Sequence, residues 1–139
     1  MPVTPEAEPP SGDPPASRLI SRELLRVDEE SGVTYIRYVA SPEFTNRHGT
    51  VQGGFLAAML DSATAFTQLQ TLSSQETAVT TRLTVDFLKP ARPGELVASV
   101  RVLHRDERAA TLEAELADPD GVKVATATAV LRVLRRRPG

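Results

Sequence analysis

One carboxylate inside an apolar segment is the feature of this sequence best suited to chemistry. Between Arg47 and Arg82 the only charged side chains are Asp61 and Glu76, and Asp61 lies within the apolar segment 55–66. No cation stands three, four or seven residues from Asp61, so a local salt bridge does not account for its charge. A carboxylate in apolar surroundings is costly unless it is hydrogen-bonded or needed for a reaction. We therefore predict that Asp61 is a nucleophile or general base, with a buried structural carboxylate as the alternative.

A long helix is predicted to carry Asp61. The segment from about Gly53 or Gly54 to near Leu72 has too few polar residues for a surface helix, and a helix that is apolar nearly all round is usually buried in a fold. Extended segments, separated by turn signals, are predicted on both sides of it. The predicted strands are 20–28, 33–40, 78–88, 95–104, 109–117 and 122–134.

This order of elements predicts an α+β fold. Two strands precede the helix and four follow it, and a single buried helix needs a sheet that curves around it. Short connections between the last strands favour an antiparallel meander or near-meander over parallel crossovers. We therefore predict one domain over residues 18–139, with a curved antiparallel β-sheet wrapped around one long central helix. Residues 1–17 contain six prolines and are predicted to be a disordered leader, because they hold too little apolar surface to offset the entropy of ordering.

Composition argues against several classes of function. The 139 residues carry 16 basic and 18 acidic side chains, largely interspersed, so nothing suggests a nucleic-acid partner. Disulfides and thiolate chemistry are excluded because the chain has no cysteine, and His48 and His104 are too far apart for a metal-ligand motif, so we predict no metal. No apolar run is long enough to span a membrane, and no signal pattern is present. We therefore expect a cytoplasmic protein with no membrane partner.

The spacing of residues around the glycine pair resembles a family signature. Asn46, Gly49, the triplet Gln52-Gly53-Gly54 and Asp61 follow the order found in hotdog-fold acyl-CoA thioesterases of the phenylacetate-pathway (PaaI-like) type. That family has an Asn, a Gly, a His-Gly-Gly triplet and an acidic residue eight positions after the first Gly of the triplet. In this sequence the same offset of eight separates Gly53 from Asp61. The segment 79–91 is similar to the family strand that ends in hydrophobic-x-Pro-Ala. The resemblance implies the hotdog fold.

The resemblance, which covers roughly residues 20–134, implies roles for four residues. Gly53 would donate its amide to the negative charge on a thioester oxygen, because the first amides of a helix lack intrahelical partners and lie at the positive end of its dipole. Asp61 would act from one protomer, while Gly53 and Asn46 come from the other. Asn46 would orient the water or the thioester, and Thr80 would offer a hydroxyl to the acid or the water. The alternatives are a tight turn into the helix for the glycines, a loop-stabilising role for Asn46 and an ordinary strand position for Thr80.

Further residues around these groups are predicted to bind substrate. Gln52 stands where the family usually has His; it cannot act as a base and is predicted only to donate a hydrogen bond. His48 is predicted either to substitute for that histidine or to be an exposed loop side chain. Gly54 is predicted beside the ligand. Lys89 and Arg92 are predicted near the nucleotide portion of coenzyme A, whose phosphates favour such cations.

The resemblance implies an acyl-CoA thioesterase that hydrolyses an acyl- or aryl-acyl-CoA to the carboxylate and free CoA. No cofactor is expected, since coenzyme A is part of the substrate. A homodimer with shared active sites is expected, and many relatives pair dimers into a homotetramer. Two alternatives stay open: a non-catalytic acyl-CoA-binding protein, favoured by Gln52, and an enoyl-thioester hydratase or dehydratase, which would need a histidine beside the acid. The sequence identifies neither the acyl group nor whether Asp61 attacks directly or activates water.

Overall fold

The structure, a computed structural model, describes residues 13–136. Over this range the helices are α1 (Pro15–Leu19) and α2 (Gly53–Leu69), with a short 3-10 helix at Pro42–Phe44. The strands are β1 (Glu23–Asp28), β2 (Val33–Ala40), β3 (Glu76–Phe87), β4 (Gly94–Arg105), β5 (Ala109–Ala117) and β6 (Lys123–Arg135). All six predicted strands are present, and the predicted α+β fold, a curved antiparallel sheet around one long helix, is confirmed.

The six strands form one antiparallel sheet in the order β1-β2-β4-β5-β6-β3. β4, β5 and β6 form the predicted meander. β3, in contrast, lies beyond β6 and pairs with it from Glu76↔Arg135 to Phe87↔Ala125. The connection 88–93 between β3 and β4 is longer than a typical hairpin loop, and it carries the chain across the end of the sheet. β1 and β3 are therefore the two edges of the sheet.

α2 ends at Leu69, short of the predicted Leu72. The amides of Thr71 and Leu72 donate to the carbonyls of Gln68 and Leu69 at 3.0 and 3.2 Å. Hydrogen bonds that span three residues tighten the last turn of a helix. Neither glycine nor proline marks this end in the sequence, and for that reason the predicted helix extends too far.

One side of α2 packs on the concave face of the sheet. Its buried side chains are Leu56, Met59, Leu60, Ala63, Thr64, Thr67 and Gln68. They recur every three or four residues, as one helical face requires, and they pack against inward-facing strand residues such as Ile36, Leu112 and Leu131. The opposite side of α2, which includes Ala58, is partly exposed. The helix is therefore buried on one side rather than all round.

The short helix α1 lies beside the uncovered side of α2, and the two line a common cavity. Ser17 and Ile20 are buried, and the Ile20 carbonyl accepts the Val39 amide of β2 at 3.1 Å. Proline is favourable in a first helical turn, where no amide hydrogen bond is lost. The predicted leader boundary at residue 17 therefore falls inside a helix. Residues 1–12 of that predicted leader lie outside the described residues.

Candidate active site

Asp61 lies on the flank of α2 that faces β3. It is half-buried, and its Oδ1 accepts a hydrogen bond from Thr80 Oγ1 at 2.7 Å. The register of β3 against β6 shifts between Thr80 and Arg82, and such irregularities redirect side chains. The neighbouring Thr81 donates instead to the Val130 carbonyl at 3.1 Å. The bond to Thr80 holds the Asp61 carboxylate in one orientation, and it identifies which of the two adjacent threonines contacts the acid.

A second hydroxyl pair lies next to Asp61 along the helix. The Tyr38 hydroxyl donates to Ser62 Oγ at 3.0 Å. Burial of the Tyr38 ring raises the pKa of its hydroxyl above the ordinary value, so the group keeps its proton and remains a donor at neutral pH. Because Ser62 accepts this bond, its own hydroxyl proton can be donated to another group.

Arg22 reaches α2 from the side of β1. Its guanidinium carbon lies 4.3 Å from the centroid of the Phe66 ring, a cation–π contact. Its Nη2 lies 2.8 Å from Asp13 Oδ1, and the Arg22 side chain is only 11% exposed whereas that of Asp13 is 50% exposed. Arg22 is therefore a largely buried cation whose carboxylate partner lies at the surface.

A cavity of about 350 Å³ lies between α1 and α2. We call it the Asp61 cavity; residues that line it include Arg22, Phe55, Ala58, Asp61, Ser62 and Phe66. Its walls are mostly apolar, with one carboxylate and one guanidinium among the lining groups. A small pocket with apolar walls and a few placed polar groups is typical of a ligand site.

The other predicted catalytic group, the Gly53 amide, lies at the first residue of α2. Gln52 is the N-cap, and its carbonyl accepts the Phe55 amide at 2.9 Å. Within residues 13–136 the amides of Gly53 and Gly54 have no acceptor, as expected for the first amides of a helix. A Cβ on Gly53 would lie 3.1 Å from the Phe87 ring. The first glycine therefore combines an available amide with a close helix–sheet contact, so both interpretations of it find support.

Asn46 stabilises the loop that leads into α2. Its Oδ1 accepts the His48 amide at 2.9 Å and the Thr50 hydroxyl at 3.2 Å, and its backbone amide donates to the Thr50 carbonyl at 2.8 Å. These hydrogen bonds support the loop-stabilising alternative for Asn46. Within residues 13–136 the Asn46 side-chain NH₂ group makes no hydrogen bond, so it is available to contact a ligand.

A second cavity, of about 310 Å³, lies at the N-terminus of α2. We call it the Gly53 cavity; residues that line it include Asn46, Thr50, Gly53, Leu56, Phe87 and Lys89. It therefore contains two predicted catalytic residues and one of the two cations predicted to bind phosphate.

The remaining predicted substrate-binding residues are all exposed. Gln52 and Gly54 are exposed, and the Gln52 side chain makes no capping hydrogen bond. His48 is an exposed loop side chain. Arg92 is exposed and lines neither cavity. The structure therefore places Lys89 in the same cavity as Gly53 and leaves Arg92 outside both cavities.

The Gly53 amide and the Asp61 carboxylate lie far apart within one chain. Eight residues separate them on the same helix, which corresponds to about 12 Å along its axis. One carbonyl group cannot contact both at that distance. Within one chain, the Gly53 amide and the Asp61 carboxylate therefore cannot act together on the same carbonyl group.

No metal-binding cluster accompanies these groups. Among residues 13–136, no three His, Cys, Asp or Glu side chains are placed to hold a metal ion. The helices in the same part of the chain are too short or too polar to cross a membrane.

Residues 48–125 match the family model of the thioesterase superfamily. The chain belongs to the thioesterase superfamily. The matched residues include the glycine pair, Asp61 and Thr80, but not Asn46. The family, the PaaI-like relatives and the hotdog fold that the resemblance implied are thereby confirmed.

Individual relatives agree with this thioesterase assignment. The chain is 36% identical to a phenylacetic acid degradation-related protein from Ralstonia eutropha JMP134, whose name provisionally assigns it to the thioesterases, with a TM-score of 0.81 over 92% of this chain and 93% of that one. It is 27% identical to a Saccharolobus solfataricus protein provisionally named an esterase, over 80% of this chain and 79% of that one. Together with the family model, these matches make the chain a thioester hydrolase.

One solved structure with a bound ligand shares the fold. It is the BH2602 protein from Bacillus halodurans with CoA, 24% identical, with a TM-score of 0.74 over 85% of this chain and 74% of that one. At this identity the similarity shows that the two proteins share a fold, and it shows nothing about individual site residues.

The sequence interpretation missed several residues that the structure places at the candidate site. They are Arg22, Tyr38, Ser62 and Phe87, which come from four different elements or connections. Only Ser62 carried a signal, because it directly follows Asp61. Arg22 and Tyr38 are ordinary in a strand region, and only the folded chain brings them to α2.

Proposed function

We propose that the chain hydrolyses acyl-CoA thioesters to the carboxylate and free CoA, at a site shared by two protomers. The observation that carries the proposal is the hydrogen bond from Thr80 to Asp61, which fixes a carboxylate at the wall of an apolar cavity. A carboxylate held in this way is suited to act as a base or nucleophile beside an apolar acyl group. Membership of the thioesterase superfamily supports the reaction class, and a fold relative with CoA supports the ligand class.

Two routes lead to the same products. In the first, Asp61 takes a proton from water as the water oxygen adds to the thioester carbon, and the carbonyl electron pair moves to the oxygen, where the Gly53 amide donates a hydrogen bond. Re-formation of the carbonyl breaks the C–S bond, and the departing CoA thiolate takes up the proton. In the second, an Asp61 oxygen adds to the same carbon and expels the thiolate, and water then hydrolyses the resulting mixed anhydride.

A second copy of the chain completes the site in this proposal. The separation of about 12 Å between Gly53 and Asp61 supports a site shared between two chains, because one carbonyl group cannot contact both groups of the same chain. β3 is a 12-residue edge strand, and a long open edge is a template for pairing with another chain. Pairing two copies through β3 would bring Asp61, which is bound to that strand, towards the partner's α2. The proposal therefore includes a homodimer with two shared sites, and pairing of dimers into a homotetramer.

The Gly53 cavity is the proposed site for the CoA side of the thioester. Gly53 would donate its amide to the carbonyl oxygen, and Lys89 in the same cavity offers a cation for a phosphate. Phe87, which is 55% exposed, forms an apolar wall for the chain between thioester and nucleotide.

The test is a panel of aryl-, short-, medium- and long-chain acyl-CoAs with free thiol as the readout. We expect the wild type to release CoA from at least one class, and Asp61→Asn to lower kcat/KM about 10³-fold. Glu76→Gln is the matched control: it removes the other acid of the segment, whose carboxylate accepts from Ser73, and it should retain activity. Light scattering and circular dichroism check that the assembly and fold are unchanged.

Three outcomes would contradict the proposal. Undiminished hydrolysis by Asp61→Asn would remove Asp61 from the mechanism. Tight acyl-CoA binding without thiol release would favour the non-catalytic alternative. Hydration of a crotonyl thioester without hydrolysis would assign the chain to the hydratases.

A further inference from the structure

We propose that the Asp61 cavity accepts an acyl group with an apolar body and a terminal carboxylate, and that Arg22 binds this carboxylate. The substrate class is then the monothioester of a dicarboxylic acid. This inference rests on the proposed function, because it assigns the acyl end of the thioester to the Asp61 cavity.

The positions of Arg22 and Asp61 on opposite flanks of α2 support this assignment. Asp61 is bonded to β3, one edge of the sheet. Arg22 directly precedes β1, the other edge, and the pairing of Glu23 with Arg37 places it beside Tyr38 on the inner face. The cavity is lined by both charged residues, so it crosses over the helix between them. A helix with its side chains is about 10 Å wide, which gives the length of acyl group that would extend from one to the other.

The walls between the two charges suit an apolar chain. The α2 residues that line the cavity include Phe55, Ala58, Ala65 and Phe66, all apolar. The small alanines leave room over the helix, and the rings supply apolar contact area. Among residues 13–136, Arg22 is the only cation that lines the cavity. A carboxylate at the end of the acyl group would therefore meet one partner of opposite charge.

Arg22 has donors to offer such a carboxylate. A guanidinium carries five N–H donors in a planar fork, and the ion pair with Asp13 involves Nη2 alone. The stack on Phe66 holds the plane of the fork. Asp13 is half exposed and its attraction is weakened by solvent, whereas a carboxylate inside the cavity would bind Arg22 away from water, where the charged hydrogen bonds are stronger.

The test compares two substrates of equal chain length, octanoyl-CoA and suberyl-CoA, which differ in the terminal carboxylate. We expect kcat/KM to favour suberyl-CoA by about tenfold or more in the wild type, as a charge-assisted hydrogen bond provides. Arg22→Gln should remove most of this ratio, and Arg22→Lys should keep part of it, because the charge remains but the fork is lost. Arg26→Gln is the control: Arg26 stacks on Tyr35 at the same 4.3 Å but does not line the cavity.

A second variant separates binding from a purely structural role. If Asp13 competes with the substrate carboxylate for Arg22, then Asp13→Asn should raise the preference for suberyl-CoA severalfold. If the Arg22–Asp13 pair only holds α1 in place, Asp13→Asn should change both substrates alike.

The outcomes distinguish this inference from the proposed function. Equal hydrolysis of both substrates by the wild type, with a ratio unchanged in Arg22→Gln, would overturn the inference and leave the thioesterase intact. Release of no thiol from any substrate would overturn the proposed function. In that event, calorimetric titration of the wild type and Arg22→Gln with the two thioesters decides the role of Arg22 by binding alone: tighter suberyl-CoA binding that is lost in Arg22→Gln supports it, and equal dissociation constants overturn it.

Discussion

The Asp61 cavity and the Gly53 cavity differ in chemistry rather than in size. Their volumes are about 350 and 310 Å³. The Gly53 cavity offers a backbone amide at a helix N-terminus, a polar loop and Lys89. The Asp61 cavity offers apolar walls with one carboxylate and one guanidinium. An acyl-CoA has the same division, since its nucleotide end is anionic and its acyl end is largely apolar.

Under the proposed mechanism, neither cavity alone supplies all the groups that the reaction uses. Stabilising a thioester oxyanion needs the amide of one cavity, and activating the attacking group needs the carboxylate of the other. The two are fixed at opposite ends of a rigid stretch of α2, so no side-chain motion within one chain joins them. A dimer of two different variants, each lacking one of these groups, is the most direct test of whether the cavities work together.

Mixing two inactive variants should restore activity. Asp61→Asn removes the carboxylate, and Gly53→Pro removes the amide; each alone should lower kcat/KM by at least about 10²-fold. A mixed dimer has one site with both native groups, so random mixing should return about a quarter of wild-type activity. The measurement is thiol release after the two variants are unfolded and refolded together. Activity that stays at the level of the separate variants would contradict a site shared between protomers.

A comparison of Gly53→Pro with Gly53→Ala should separate the effect of losing the Gly53 amide from the effect of adding a side chain. Proline is tolerated at the first position of a helix, and Gln52 has ψ 138°, a conformation compatible with a following proline. We expect Gly53→Pro to lose about 10²-fold in kcat through the missing donor. Gly53→Ala keeps the donor, and its Cβ meets only the end of the Phe87 ring, at 3.1 Å, so its loss should be smaller. Similar losses of kcat in both variants would show that Gly53 is needed for its lack of a side chain and not for its amide.

Thr80→Val should leave the Asp61 carboxylate in place but remove the hydrogen bond that orients it. Valine keeps the shape of threonine but not the hydroxyl that donates to Asp61 at 2.7 Å. We expect kcat to fall about tenfold, the effect of one hydrogen bond to a charged group. Thr81→Val is the control on the adjacent residue, whose hydroxyl bonds only to the Val130 carbonyl. An equal fall in both variants would point to a general disturbance of β3.

The sequence predicted most elements of the fold because turn signals and apolar patterns separate them. The strand β5 was predicted with its observed bounds, Ala109–Ala117, where apolar residues alternate with glutamates. The place of β3 in the sheet was not predicted, since a strand pattern shows that a strand forms but not which partner it has. α1 was missed because its five residues lie in a proline-rich segment and depend on burial of Ser17 and Ile20.

The candidate site was predicted where local spacing defines it. Gly53 and Asp61 lie on one helix, so their separation follows from the sequence alone. Thr80 was predicted from the resemblance, but its contact with Asp61 in place of the adjacent Thr81 depends on a register shift against β6 that the sequence does not reveal. Arg22 was missed because it meets α2 only when β1 closes the opposite edge of the sheet, and nothing in its neighbours along the chain indicates that contact.

The smallest predicted effect concerns the cation of the Gly53 cavity. Lys89 is exposed and its charge is screened, so Lys89→Gln should raise KM for an acyl-CoA only severalfold and leave kcat nearly unchanged. Arg92→Gln is the control, because Arg92 is also exposed but lies outside both cavities. Since salt screens an exposed charge, KM of the wild type should rise with ionic strength, and that of Lys89→Gln should rise less. If Arg92→Gln instead shows the larger change in KM, the nucleotide of CoA lies outside the Gly53 cavity. The Gly53 cavity would then bind the thioester end of CoA but not its phosphates.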